Sequence, residues 1–209
     1  TTEIYTLSLH DALPIFPGLD PENSPLLAEL FRSRGGGALF HWNALDEMSG
    51  TVLKLLADHN PVAGSYLAGG TALALQIGHR CSIDLDWFTP CPFETDRVAE
   101  RLSELGRLEI SETAKGTFHG RLDGVRVTWL HYPNPILEEC IDANEPRSLK
   151  LASLRDIGVM KWVAASQRGA RRDFIDLYMI EGSGHALEAL LEAMPRKFPG
   201  KDINYYHLI

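Results

Sequence analysis

Two short motifs near the middle of the chain restrict its possible folds most strongly. An apolar segment at residues 66–68 leads directly into Gly69-Gly70-Thr71. A helical pattern follows to residue 77, with Thr71 placed to cap its first turn. Residues 82–88 then alternate apolar side chains with Asp84 and Asp86, which predicts a strand with both carboxylates on one face. The order strand, glycine turn, helix, acidic strand predicts an α+β fold.

These motifs also suit a particular chemistry. Glycines let the backbone approach a phosphate closely, and the N-terminus of the next helix offers unpaired N–H groups and a partial positive charge. Carboxylates two positions apart on a strand, as at Asp84 and Asp86, can share divalent cations. Two-metal nucleotidyl transfer needs such hard oxygen ligands opposite a bound triphosphate. A Gly-Gly turn alone is weak evidence and an Asp-x-Asp pair can be a solvated polar face, but their combination favours a phosphate and Mg²⁺ site.

The rest of the chain divides into a mixed part and a helical part. Helices are predicted at residues 44–59, 96–105, 153–165, 171–180 and 186–194, and further strands at 108–112, 116–122 and 125–132. Asp123-Gly124 predicts a tight hairpin turn, and Ser153 with Asp156 resembles a capping box. We therefore expect a mixed sheet with flanking helices over residues 44–135 and a helical C-terminal part over 136–209.

Both ends of the sequence have unusual features. Residues 1–15, TTEIYTLSLHDALPI, correspond residue for residue to a translated sequencing adapter, so we exclude them from the fold. Residues 16–43 are rich in Pro and Gly and predict a loosely ordered lead-in. A helix-like pattern opens at residues 204–209 and stops, which predicts a truncated C-terminus.

Composition limits the environment and the partners of the protein. The net charge is −8, so any contact with phosphates must come from a local basic region. Residues 147–173 form such a region, because Arg and Lys there far outnumber the acids Asp156 and Asp173. The three cysteines have no metal-ligand spacing, and no apolar stretch is long enough for a membrane span. These features predict a soluble cytoplasmic protein without a membrane partner.

The two central motifs resemble the nucleotidyltransferase motif of the DNA polymerase β superfamily. The sequence AGGTAL at residues 68–73, together with RCSIDLD at residues 80–86, is similar to that of the AbiEii/AbiGii-type, MenT-like toxins of type IV toxin–antitoxin systems. The similarity continues through Lys161 to RDFIDLY at residues 172–178. It implies a polymerase β-like mixed sheet with flanking helices and a helical C-terminal part.

The resemblance also implies a role for each matching residue. It assigns nucleotide binding to Gly69, Gly70, Thr71, Arg80, Ser82 and Lys161, binding of two Mg²⁺ ions to Asp84 and Asp86, the acid of the second motif to Asp173, and accessory roles to Arg172 and Asp176. Each assignment in the helical part has a plain structural alternative.

Those alternatives are specific enough to test. Lys161 could be a surface lysine, Asp173 a partner of Arg172 or of a helix N-terminus, and Asp176 a solvated helix position. His79, like His131 and Cys81, has no partner at metal-ligand spacing and is interpreted as structural.

The function implied by the resemblance is transfer of a nucleotide from an NTP to an RNA, with a tRNA 3′ end as a candidate, or to a protein. Such a toxin would arrest growth under the control of a cognate antitoxin and could serve phage defence. Two alternatives stay open: a silent nucleotide- or partner-binding module, and a small-molecule transferase of the aminoglycoside type.

One departure from the wider superfamily bears on activity. The predicted strand at residues 125–130, VRVTWL, carries no third carboxylate. Either two aspartates suffice, or Asp173 completes the site from the helical part.

Overall fold

The computed structural model describes residues 40–143, 146 and 148–200. The predictions for residues 1–15, for nearly all of the lead-in at 16–43, and for the truncated end at 204–209 therefore lie outside the described residues.

Every helix predicted after residue 43 is present, with shifted ends. The helices are α1 (Glu47–Asp58), α2 (Gly69–Ile77), α3 (Thr95–Leu105), α4 (Leu154–Arg168), α5 (Arg171–Gly182) and α6 (Leu187–Lys197), and a 3-10 turn at Trp42–Ala44 precedes them. Ser153 caps α4 by accepting a hydrogen bond from the backbone N–H of Asp156, as the capping box predicts. Helix α4 continues past the predicted residue 165 until Gly169, whose φ of 57° lets it end the helix in the left-handed region.

Seven strands form one mixed sheet. They are β1 (Tyr66–Ala68), β2 (Leu85–Thr89), β3 (Leu108–Ala114), β4 (Thr117–Leu122), β5 (Val125–His131), β6 (Ile141–Asp142) and β7 (Lys150–Leu151), in the spatial order β3-β4-β5-β2-β1-β7-β6. Strand β2 is antiparallel to β1 and parallel to β5. The tight turn between β4 and β5 is confirmed, because Asp123 and Gly124 both have positive φ, at 49° and 84°.

Side chains along the central strands point alternately to the core and to the face that carries the site. Trp87, Trp129 and Phe118 are buried in neighbouring strands, and the two indoles stack with centroids 6.2 Å apart. Adjacent residues on a strand face opposite sides of the sheet. The residues beside these aromatics, Asp86 in β2 and Thr128 in β5 among them, are therefore presented on the other face.

The acidic strand begins later than predicted, which corrects two expectations. Strand β2 starts at Leu85, so Asp84 precedes it, and Ile83 is 56% exposed instead of lying on an apolar face. The cause is tertiary, because the N–H of Ser82 donates to the carbonyl of Ala44, outside the sheet. Thr71 does not cap α2: the N-cap is Ala68, and the Thr71 hydroxyl donates to the carbonyl oxygen of Asp84.

The part predicted as helical also contributes to the sheet. Strand β7 runs parallel to β1, pairing Leu151 with Leu67, and β6 pairs with β7. Two-residue strands are too short to show a period in sequence, so the prediction for residues 136–152 was wrong. Among the helices that the structure describes, none has the length and apolar character needed to cross a bilayer.

Candidate active site

An open cleft of about 310 Å³ lies between the N-terminus of α2, strands β2, β4 and β5, and helices α4 and α5. Most of the predicted site residues line it, namely Gly69, Gly70, Arg80, Ser82, Asp84, Asp86, Lys161 and Arg172. Residues more than 100 positions apart in the sequence thus meet at one place. The structure places Thr71, Asp173 and Asp176 outside this lining.

The two carboxylates of the acidic segment face the cleft together. Oδ1 of Asp84 is buried and accepts no hydrogen bond, although Nη1 of Arg126 lies 3.2 Å from it. Burial and the neighbouring charge of Asp84 raise the pKa of Asp86. Two close carboxylates, one with an unused buried oxygen, are a donor set that favours a divalent cation.

The donor set suits Mg²⁺ bound together with a substrate. No cluster of three or more His, Cys, Asp or Glu suited to a metal occurs in the described part of the chain. Mg²⁺ is commonly held by one or two carboxylates, with substrate phosphates and water as the other ligands. Asp84 and Asp86 therefore fit the metal that the sequence predicts, provided that a nucleotide supplies further oxygens.

The glycine pair is required by close approach of side chains to the backbone. Gly69 has φ of 67°, and a Cβ there would lie 3.0 Å from Oδ2 of Asp86. A Cβ on Gly70 would lie 2.4 Å from Nη2 of Arg80, which is a collision. The turn thus keeps the start of α2 open beside a guanidinium and a carboxylate, as a phosphate cradle requires.

The buried carboxylate of Asp176, behind the cleft, binds two of the cations that line the cleft. Oδ1 and Oδ2 of Asp176 accept hydrogen bonds from Nε and Nη2 of Arg80 at 2.8 and 3.1 Å, and Oδ2 also lies 2.5 Å from Nζ of Lys161. Nε2 of His79 lies 2.8 Å from the same carboxylate, which supports the structural interpretation of His79. Burial alone would raise the pKa of Asp176, but these contacts outweigh it and hold the pKa well below its usual range.

A second buried carboxylate holds the cations of α4. Asp173 accepts hydrogen bonds from Nζ of Lys161 at 3.0 Å and from Nε and Nη2 of Arg168 at 2.6 and 2.7 Å. Burial raises its pKa, and the two cations more than reverse that effect. We call Asp173, Asp176, Lys161, Arg168, Arg80 and His79 the cleft charge cluster.

The plain alternatives of a surface lysine at Lys161 and a solvated position at Asp176 are wrong, while the alternative that places Asp173 at a helix N-terminus agrees with its position in the first turn of α5. Asp176 is fully buried, Lys161 is buried at 6% exposure, and Asp173 pairs with Arg168 and Lys161, whereas the alternative predicted Arg172. Both aspartates nevertheless lie behind the lining and position cations. The acid role assigned to Asp173 and the accessory role assigned to Asp176 stay predictions.

Thr71 likewise lies behind the surface of the cleft. It is fully buried, and its hydroxyl shares a 2.8 Å hydrogen bond with that of Ser82. Its side chain therefore fixes the segment that carries Asp84, while the backbone of α2 faces the cleft.

Several lining residues were missed by the sequence analysis. They are Phe88, His119, Thr128, Leu130, Ile157, Met160 and Ala164, together with Arg168, which was noted only as part of a basic region. The residues on β4 and β5 reach the cleft through the pairing register of the sheet. That register leaves no local mark in the sequence.

The fold is similar to that of solved nucleotidyltransferase structures. The antibiotic-resistance factor ANT(2'')-Ia in solution aligns over 72% of this chain and 92% of its own, with 16% identity and a TM-score of 0.53. Its crystal structure in complex with adenylyl-2''-tobramycin aligns over 72% and 98%, with 14% identity and a TM-score of 0.50. The Megavirus polyadenylate synthase aligns over 65% of this chain but only 31% of its own, at 15% identity and a TM-score of 0.46. The chain has the polymerase β-like nucleotidyltransferase fold, an α+β fold with a mixed sheet and flanking helices.

A sequence relative defines the family more narrowly. The uncharacterized protein aq_aa25 of Aquifex aeolicus (strain VF5) is 34% identical over 142 residues, which cover 66% of this chain and 68% of the relative. The chain belongs to the same family as this Aquifex protein. No protein-family model matches the sequence.

Proposed function

We propose that this protein is an Mg²⁺-dependent nucleotidyltransferase that moves a nucleotide from an NTP to a hydroxyl acceptor. One observation carries the proposal: Asp84 and Asp86 share a single cleft with the open N-terminus of α2 and with a set of cations held by buried carboxylates. Nucleotidyl transfer requires a metal site and a triphosphate site side by side.

Different residues of the cleft bind the metal, bind the phosphates and stabilise the developing charge. Asp84 and Asp86 would hold Mg²⁺, which supplies charge stabilisation at the transferred phosphoryl group and at the leaving oxygens. The backbone at Gly69 and Gly70 and the guanidinium of Arg80 bind phosphate oxygens. Lys161 stabilises the charge that develops on pyrophosphate, and its position is preset by Asp173 and Asp176.

The charge of the lining favours an anionic acceptor. Among the described residues that line the cleft, Asp84 and Asp86 are the only carboxylates, whereas Arg168 and Arg172 lie at the α4–α5 side. An aminoglycoside is polycationic and needs free carboxylates, while RNA needs cations. We therefore infer an RNA acceptor, with a tRNA 3′ end as the first candidate. The small-molecule alternative is disfavoured by the charge of this lining.

The biological role proposed is that of a cytoplasmic toxin of the AbiEii type, restrained by a cognate antitoxin and acting in phage defence. It rests on the resemblance of residues 68–73, 80–86 and 172–178 to that family. A role in growth arrest follows if the modified RNA is needed for translation.

The decisive test is transfer of label from each of the four NTPs to total tRNA with Mg²⁺. Asp84→Asn and Asp86→Asn are compared with Asp96→Asn, which changes an exposed aspartate of α3 in the same way. We expect wild type and Asp96→Asn to label RNA and both cleft variants to lose labelling, because neutral amides are poor Mg²⁺ ligands.

Other acceptors separate the remaining hypotheses. Label on protein or on an aminoglycoside, with none on RNA, would overturn the RNA acceptor and keep the transferase. Metal-dependent NTP binding without transfer to any acceptor would favour the silent binding module. Absence of NTP binding would overturn the proposed function altogether.

A further inference from the structure

Three polar side chains form a row across the middle of the sheet, on the face that borders the cleft. In the register of the strands, Asp86 of β2 is opposite Thr128 of β5, and Thr128 is opposite His119 of β4. Directly paired residues share a face and lie within reach of one another. All three line the cleft, although the sequence analysis singled out only Asp86.

Close contacts connect the row. The Thr128 hydroxyl is paired across the strands with Asp86 and interacts favourably with its ionised carboxylate, and its Oγ1 lies 3.1 Å from Nδ1 of His119. An ionised carboxylate can only accept a hydrogen bond, so a hydroxyl between Asp86 and an imidazole directs its single proton to the carboxylate. Oγ1 must then accept from His119, which requires the proton of a neutral imidazole to be on Nδ1.

This tautomer leaves the other ring nitrogen as a base. With the proton on Nδ1, Nε2 of His119 carries a free electron pair. No hydrogen bond or ion pair engages Nε2 of His119 among the described residues. A base oriented by a hydroxyl and a carboxylate has the organisation of a catalytic acid–base relay.

We propose that His119 is the general base for the transfer reaction, an inference that rests on the proposed function. The acceptor hydroxyl oxygen forms a bond to the α-phosphorus of the NTP, and the bond from that phosphorus to the bridging oxygen breaks. Its electron pair leaves with pyrophosphate. The hydroxyl proton passes to Nε2 of His119 and afterwards to water.

The geometry explains how the site functions without a third carboxylate on β5. The β5 residue opposite Asp86 is Thr128, which cannot accept the proton of an incoming hydroxyl as a carboxylate could. It extends the row by one strand and fixes the ring of His119 instead. The base thus comes from β4, a strand in which the sequence analysis identified no site residue.

The test compares His119→Asn with the matched variant His59→Asn, which changes an exposed histidine outside the cleft. The Asn amide can still donate to Thr128 from the place of Nδ1, but it has no group equivalent to Nε2. We expect kcat for labelled transfer to fall by about 100-fold or more in His119→Asn. The KM for NTP and the affinity for Mn²⁺·NTP, followed by electron paramagnetic resonance, should not change. His59→Asn should retain wild-type kcat.

Each other outcome has a defined meaning. An unchanged kcat in His119→Asn would overturn this inference while leaving the transferase intact. Weakened Mn²⁺·NTP binding would identify His119 as a metal ligand and overturn its role as base. A wild-type chain that transfers to no acceptor would overturn the proposed function itself.

A second measurement requires no variant. Long-range ¹H–¹⁵N NMR of the wild-type protein distinguishes the two neutral tautomers of each histidine. We expect His119 to carry its proton on Nδ1, and a proton on Nε2 would contradict the inference even if His119→Asn did not fold.

Discussion

Two clusters of buried charge are centred on carboxylates of helices α4 and α5 and have different roles. The cleft charge cluster joins α4 and α5 to the segment before β2. The second, which we call the anchor cluster, centres on Asp156 at the start of α4, which is paired with Lys197 at the end of α6. Their central carboxylates are equally inaccessible to solvent, at 0–1% exposure.

The difference lies in what the cations can still reach. In the anchor cluster Lys197 is fully buried and lies over the ring of Tyr132 at 5.5 Å. The Asp156 carboxylate also accepts from the backbone N–H groups of Leu137 and Glu138, at 3.0 to 3.2 Å. This cluster therefore closes on itself and ties the segment before β6 to two helices.

In the cleft charge cluster the carboxylates and Lys161 are buried, but the two arginines are partly exposed. The side chains of Arg80 and Arg168 remain 27% and 48% exposed, and both line the cleft together with Lys161. A buried ion pair is weak evidence for added stability. Cations held in place at the edge of a cleft are instead preorganised to meet an anion.

The sharpest test of this comparison removes one lysine from each cluster. In Lys197→Met, Asp156 stays buried without its cation, so we expect the free energy of unfolding to fall by about 3–5 kcal/mol with transfer per folded molecule unchanged. In the Lys161→Met variant both carboxylates keep polar partners, which are Arg80, Arg168 and His79. We therefore expect a smaller loss of stability. Transfer should fall by about 100- to 1,000-fold, the usual effect of removing one preorganised donor.

Urea unfolding and labelled transfer measure the two effects on the same preparations. Equal losses of transfer per folded molecule in the two variants would show that the clusters do not differ in function.

A second test uses the acid dependence of Asp176. Its pKa in the folded protein is held below the unfolded value of about 3.9. Its contribution to stability is therefore present above that value and is lost as pH falls through the folded pKa. We expect Asp176→Asn to lower the free energy of unfolding by about 2–3 kcal/mol at pH 7.

The measurement is chemical denaturation of wild type and Asp176→Asn from pH 7 to pH 2.5. The difference in free energy of unfolding between the two proteins should narrow steadily below pH 4. A difference that does not depend on pH would show that the charge of the carboxylate is not what holds Arg80 and Lys161.

The smallest expected effect is in the anchor cluster. Ser153 caps α4 and its hydroxyl also donates to Asp156 at 2.9 Å. Ser153→Ala should cost about 1 kcal/mol of stability, measured by thermal or urea unfolding, and should leave transfer unchanged. Ser153→Thr, which keeps a capping hydroxyl, should recover most of the loss, and a clear fall in transfer would contradict the separation of the clusters.

The sequence predicted well the parts that depend on local pattern. The helices from α1 to α6, the turn at Asp123-Gly124 and the cap at Ser153 all follow from residues a few positions apart. The strands β6 and β7 were missed because two residues show no period. Strand β2 was predicted too early because hydrogen bonds from other elements hold residues 82–84 out of the sheet.

For the site, the sequence alone determined the chemical types, because the glycine turn, the two aspartates of the acidic segment and the basic region at residues 147–173 are visible as local sequence features. Only the tertiary structure decided which carboxylates face the cleft and which lie behind it, because burial of Asp173 and Asp176 depends on how α4 and α5 pack beside Arg80. The row from Asp86 to His119 depends in turn on strand register, which is set by pairing between segments distant in the chain.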